Sequence, residues 1–147
     1  MRIVGNWWLC TDGEIRPVVK GRVADATGSE REERFLVDTG ADRTVFTAGL
    51  FGSLGIPPSA ASGATALSGV GSRPGFVLVR TTLTLYAEDG SPARIHAEFA
   101  AFTDPAAADM SILGRDVLDH FHLIVSRRRN EVLLLVMNHQ YRIEYVP

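Results

Sequence analysis

The chain has 147 residues, of which 46% are hydrophobic and 22% charged. That composition fits one soluble globular domain with a sizeable core and excludes a disordered chain. A formal net charge of −2 removes the electrostatic reason to expect nucleic acid or an anionic membrane as a partner.

Met1 to Glu14 reads as an N-terminal extension or edge hairpin ahead of a main domain over 15–147. Its apolar stretch, Trp7-Trp8-Leu9, is too short and interrupted for a signal-peptide core, and no later segment approaches membrane-spanning length. Two adjacent tryptophans on a strand face opposite sides, which leaves one of them for a partner chain. A lone cysteine, Cys10, excludes an internal disulfide and points to a reducing, cytoplasmic setting.

Strand signals dominate from there on. Ile15 to Val23 is rich in β-branched residues, Ala24 to Glu33 is a polar tip with Gly28, and Phe35 to Val37 is the return strand. Thr44-Val45-Phe46 is extended. Leu50 to Gly63, with Gly52, Gly55, Pro57 and Pro58, is a loop with at most a short helix. Ala64 to Ser68, the glycine-rich tip Gly69 to Gly75, and Phe76 to Val79 form one hairpin. Thr81 to Tyr86 and Ala93 to Phe102 form another around Glu88 to Ser91. Ser111 to Gly114 is a short apolar strand. Arg115 to Phe121 is a helix, because Val117, Leu118 and Phe121 fall on one face. Leu123 to Val125 and Glu131 to Val136 make a hairpin around the solvated turn Arg127-Arg128-Arg129, and Tyr141 to Val146 alternates like one more strand. The pattern is mostly β, and many short strands at close spacing predict a small closed barrel-like fold.

The segment Phe35 to Asp42 carries the chemistry. An apolar run delivers Asp38 into a tight turn, Asp38-Thr39-Gly40-Ala41. One carboxylate is a weak general base for amide hydrolysis and offers no acid to the leaving group. Two carboxylates at contact distance cannot both ionise easily, so they share a proton and divide the two roles. The element occurs once in the chain, so a pair requires a dimer.

Phe35 to Phe46, FLVDTGADRTVF, together with Ser111 to Leu118, SILGRDVL, resembles the retropepsins, the single-domain aspartic proteases of retroviruses and their cellular and bacterial relatives. The resemblance covers roughly 15–135. It implies a small closed barrel with one short C-terminal helix and a flap hairpin, no metal and no cofactor. It implies an endopeptidase that works as a homodimer on extended peptide or protein substrates. Asp38 is then the catalytic residue, paired with Asp38 of a second chain. Thr39 bonds across the two-fold axis, Gly40 offers its carbonyl to substrate, and Ala41 completes the active-site loop. Asp42 meets the substrate backbone and pairs with Arg115. Thr44 bonds to Asp116, and Gly69, Val70 and Gly71 form the flap tip. Val45, Val70, Phe76 and Ile112 line the groove.

This chain departs from the viral pattern in a longer flap tip through Ser72-Arg73-Pro74-Gly75, in Arg43 beside the groove, and in the run from His122 to Pro147. Met1 to Glu14 fits an edge hairpin, a dimer arm or a removable pro-segment. Other motifs fail on spacing. Pro74 stands where a dinucleotide fingerprint needs its third glycine. His96, His120, His122 and His139 show no zinc-ligand spacing. The remaining alternatives are a non-catalytic dimeric peptide-binding module of the same fold, or a latent protease that needs N-terminal processing.

Overall fold

The structure, a computed structural model, describes residues 1–59 and 75–136. Strand β3, Ile15–Ala24, and strand β4, Glu30–Val37, form an antiparallel hairpin. Val19, Val23, Phe35 and Val37 turn inward and are buried. Lys20 and Arg22 face outward and pair with Glu32 and Glu30 at 3.3 and 3.8 Å. Cross-strand charge pairs of this kind let a charged segment stay in a ladder.

Asp25 builds the turn between them. Its Oδ1 accepts from the Thr27 amide at 2.9 Å, the Thr27 hydroxyl at 2.6 Å and the Ser29 amide at 3.0 Å. Its Oδ2 accepts from Arg31 Nε at 3.2 Å. The Thr27 hydroxyl leads the donors that hold the Asp25 carboxyl below its ordinary 3.8. A carboxyl depressed on folding stabilises fully above its unfolded value, and that contribution drains away as pH falls through the folded one. Asp25→Ala should therefore melt at a lower temperature than wild type at neutral pH. The gap should hold down to about pH 4 and narrow below it, which paired melting curves across that range would check. A gap independent of pH would contradict the ionic origin.

Strand β5, Val45–Phe46, leads into helix α1, Ala48–Leu54. The Thr47 hydroxyl caps the helix by accepting from the Leu50 amide at 3.2 Å, and Gly55 ends it in a left-handed conformation, φ 63°. The long strands β6, Phe76–Tyr86, and β7, Pro92–Phe102, pair antiparallel along their whole length. Strand β8, Ser111–Leu113, slots parallel to β4 and antiparallel to β5. The sheet runs β2-β3-β4-β8-β5-β7-β6, with β2 at Asn6–Leu9, and a further β3–β6 pairing closes a six-strand barrel. Because β5 and β8 are short, α1 covers the gap beside them, touching β4 and β7 with Leu50 and Leu54 buried. In the core Phe35 meets Phe46 edge-on and Phe46 meets Phe99 at a tilt, at ring separations of 6.1 and 5.2 Å.

A second sheet joins the two ends of the described chain. Strand β1, Arg2–Val4, pairs with β10, Glu131–Leu135, which pairs with β9, His122–Ser126. Ile3 and Leu134, partners in that ladder, are both buried in the main core. Trp7 packs on the same core and donates from Nε1 to the Ser126 carbonyl at 3.2 Å. Trp8 faces the other way, under the Arg34 guanidinium, 3.7 Å from its ring centre.

Several boundaries differ from the sequence reading. The polar tip after Ala24 is shorter than expected, since β4 already begins at Glu30. Phe76 to Val79 and Thr81 to Tyr86 are one strand, because Arg80 points to solvent and does not interrupt the ladder. The helix after Gly114, α2, spans only Arg115–Leu118, and Phe121 follows in a tight turn that donates to the Leu118 carbonyl at 3.0 Å. Helix α1 adds a second helix to the single C-terminal one. The flap tip Gly69-Val70-Gly71 and the strand expected over Tyr141 to Val146 lie outside the described residues.

Candidate active site

Asp38 stands immediately after β4, at the point where β4 and β8 run parallel as Phe35↔Ser111, Leu36↔Ile112 and Val37↔Leu113. Its amide donates to the Leu113 carbonyl at 3.2 Å. The chain then turns. The Ala41 amide donates to the Asp38 carbonyl at 3.2 Å, and the Gly40 amide donates to Asp38 Oδ1 at 2.9 Å. A Cβ on Gly40 would lie 3.2 Å from that oxygen, so the bare glycine lets the amide approach the carboxylate. Asp38 is half-buried, whereas Thr39 and Gly40 are exposed. One carboxylate oriented by a backbone donor, beside open solvent, can hold a water or meet a second carboxylate.

The loop is tied to the segment between β8 and α2. The Arg115 amide donates to the Ala41 carbonyl at 2.8 Å, and the Asp116 amide to the Asp42 carbonyl at 3.2 Å. Asp42 and Arg115 also form an ion pair between side chains. That contact raises the Arg115 pKa, chiefly through the hydrogen bond the guanidinium donates to Asp42. Both side chains are about half exposed, so the pair orients the loop more than it stabilises the protein.

The stronger anchor is buried. Thr44 is fully shielded from solvent. Its amide and its hydroxyl donate to Asp116 Oδ1 at 2.8 and 2.7 Å, and its hydroxyl accepts from the Gly114 amide at 3.1 Å. Every polar atom of that side chain is satisfied inside the protein, which is the condition for burying it without cost.

No protein-family model matches the chain, and no curated protein matches it. Among solved structures, one similar protein is a retropepsin-like aspartic protease from Rickettsia conorii. It shares 18% identity over 91% of this chain and 90% of that one, with a TM-score of 0.56. The chain has the retropepsin-like fold. Two further solved structures are similar. EIAV protease complexed with the inhibitor HBY-793 shares 24% identity, covers 75% of this chain and 91% of its own, and has a TM-score of 0.45. The retroviral protease-like domain of Ddi1 from Leishmania major gives 16%, 84%, 96% and 0.47 in the same order.

Within this retropepsin-like barrel, Asp38, Thr39, Gly40, Ala41, Asp42, Thr44, Arg115 and Asp116 form one connected loop pair. Gly69, Val70 and Gly71 fall outside the described residues. Of the expected groove residues, Val45, Phe76 and Ile112 join Leu78, Ala100 and Phe102 in a small apolar cluster separate from the main core. Val70 is again outside the described residues.

Two residues that the sequence reading left out hold the loops together. Gly114 has backbone packed directly against it: a Cβ there would lie 2.3 Å from the Arg43 carbonyl carbon and 2.5 Å from its oxygen. A glycine between an apolar strand and a helix was a readable sign of such a crossing. Ser111 is buried, and its hydroxyl accepts from the Thr47 amide at 3.0 Å. No sequence signal distinguished it from other strand serines. Among the described residues, no group of three or more His, Cys, Asp and Glu side chains could hold a metal ion, and no helix is long and apolar enough to cross a membrane.

Proposed function

We propose that this protein is an aspartic endopeptidase whose active site is completed by pairing Asp38 with Asp38 of an identical chain. The observation that carries the reading is the half-buried Asp38 carboxylate, oriented by the Gly40 amide on a clamped loop of a retropepsin-like barrel. The two carboxylates share one proton. One takes a proton from water as it attacks the peptide carbonyl, and the other gives a proton to the departing amine. No covalent intermediate forms. Arg115 and Asp116 position the loop through Asp42 and Thr44. The substrate lies extended, held by main-chain hydrogen bonds, and Gly69, Val70 and Gly71 close over it. The cluster of Val45, Phe76 and Ile112 favours apolar side chains around the cleaved bond. A reducing, cytoplasmic setting suits a chain whose one cysteine is unpaired.

Subunit mixing tests the shared dyad. Wild type and Asp38→Asn are unfolded and refolded together in varied ratios, and peptide cleavage is measured. If each site needs both carboxylates, activity falls as the square of the wild-type fraction. A linear fall would mean that each chain acts alone, and would sink the reading.

A further inference from the structure

We propose that Arg43 determines specificity by selecting a carboxylate-bearing side chain, Asp or Glu, within about three residues of the cleaved bond. This inference deepens the reading of the site as a peptidase and rests on it. The sheet runs β4-β8-β5 across the loop pair. Asp38 follows β4, Gly114 follows β8, and Arg43 stands just ahead of β5. Strand β8 is parallel to β4 and antiparallel to β5, so all three residues come to one end of the sheet. Direct contacts fix the order. The Asp38 amide donates to the Leu113 carbonyl at 3.2 Å, and Gly114 packs on the backbone of Arg43 and Thr44. Neighbouring strands lie about 4.8 Å apart, so two spacings put Arg43 roughly 10 Å from Asp38. An extended peptide covers that distance in about three residues.

The side chains around Arg43 are already engaged. Thr44 turns inward, with its amide and hydroxyl on Asp116. Val45 joins the apolar cluster of Phe76 and Ile112. Asp42 pairs with Arg115. Arg43 itself is half-buried, yet its guanidinium makes no hydrogen bond and no ion pair among the described residues. The contrast with Arg16 is informative. Arg16 and Arg43 are the two half-buried arginines among the described residues. Arg16 holds both carboxylate oxygens of Asp12, at 2.9 and 2.7 Å, whereas Arg43 holds none.

A guanidinium that has lost part of its hydration is best satisfied by a carboxylate, which accepts two parallel N–H bonds. An apolar neighbourhood strengthens such a bond, and the one beside Arg43 is apolar. Its backbone is also held on both sides, by Gly114 and by the Thr44–Asp116 bonds. A charge fixed in advance loses little freedom when a ligand docks. The acid belongs away from the cleaved bond itself. A pair of Asp38 carboxylates holding one proton keeps a negative charge and repels another carboxylate at contact. Each copy in the paired site brings its own Arg43, so two-fold symmetry favours an acid on both sides of the bond.

The experiment uses the full chain and peptides capped at both ends, so that every carboxylate present is a side chain. A parent peptide with an apolar pair at its centre is compared with copies carrying Glu, Gln or Lys at each of the three flanking positions on either side. The readout is the ratio of kcat/KM for a Glu peptide to that for its Gln twin, in which differences in folding and dimer strength cancel. The wild-type ratio should reach about ten or more at one position on each side. Arg43→Gln should bring that ratio near one, and Arg43→Glu should prefer the Lys peptide to the Glu peptide. The wild-type scan needs no variant, so a variant that misfolds does not protect the inference. If the wild-type ratio is near one at every position, or Arg43→Gln keeps the wild-type ratio, the selector is overturned while the shared dyad stands. A wild type that cleaves none of the peptides overturns both.

Discussion

Asp38→Asn should abolish peptide cleavage and leave the protein folded. Asparagine keeps the size of the side chain and an oxygen that can accept from the Gly40 amide, now 2.9 Å from Asp38 Oδ1. It removes the group that, in the proposed mechanism, takes a proton from water. General acid–base catalysis typically contributes 10²–10⁴-fold, and in the proposed dyad both roles fall on the same pair, so the loss should be about a thousandfold or more. The check is cleavage of a diverse peptide library between acid and neutral pH, with the melting temperature measured alongside. Full activity in the variant would remove Asp38 from the mechanism.

Gly114→Ala should be the most damaging single methyl group in the site. The added carbon would lie 2.3 Å from the Arg43 carbonyl carbon, 2.5 Å from its oxygen and 2.8 Å from the Thr44 nitrogen. All three are backbone atoms, so no rotamer change relieves the clash. The chain must separate the two loops, which also breaks the bond from the Gly114 amide to Thr44. A cost of about 3 kcal/mol or more is expected, at the upper end for overpacking. In a domain of this size that lowers the melting temperature by roughly 10 °C, and cleavage should fall with it because Asp38 is positioned by the same junction. Gly49→Ala in α1 is the contrast. A Cβ there meets nothing within 4 Å, and alanine in a helix should stabilise by about 0.5–1 kcal/mol. Thermal melts of the two variants side by side check both signs; a Gly114→Ala protein as stable as wild type would disprove the close approach.

The sequence was most readable where a side-chain pattern alone determines structure. The β-branched richness of Ile15 to Val23 and the apolar Phe35-Leu36-Val37 run placed the strands that deliver Asp38. The two motif segments placed Asp42 with Arg115 and Thr44 with Asp116, contacts that are present as an ion pair and as hydrogen bonds. Legibility failed where the deciding partner is distant in sequence. Glu30 to Glu33 looks like a loop by composition, and is a strand because Lys20 and Arg22 lie across from it. Arg80 looks like a break, yet the outer wall of a barrel accepts a charge at every second position. Ser111 gives no hint of its role, because the Thr47 amide that needs it belongs to another element.

The ladder between β1 and β10 has a consequence for how the protein comes to be. Ile3 is synthesised well before its ladder partner Leu134, which lies far along the sequence. Loop closure over so long a stretch is entropically expensive, and contacts of that separation form late. The barrel strands can assemble during synthesis, while β1 waits for β10. Its apolar residues are then bare until β10 has been made.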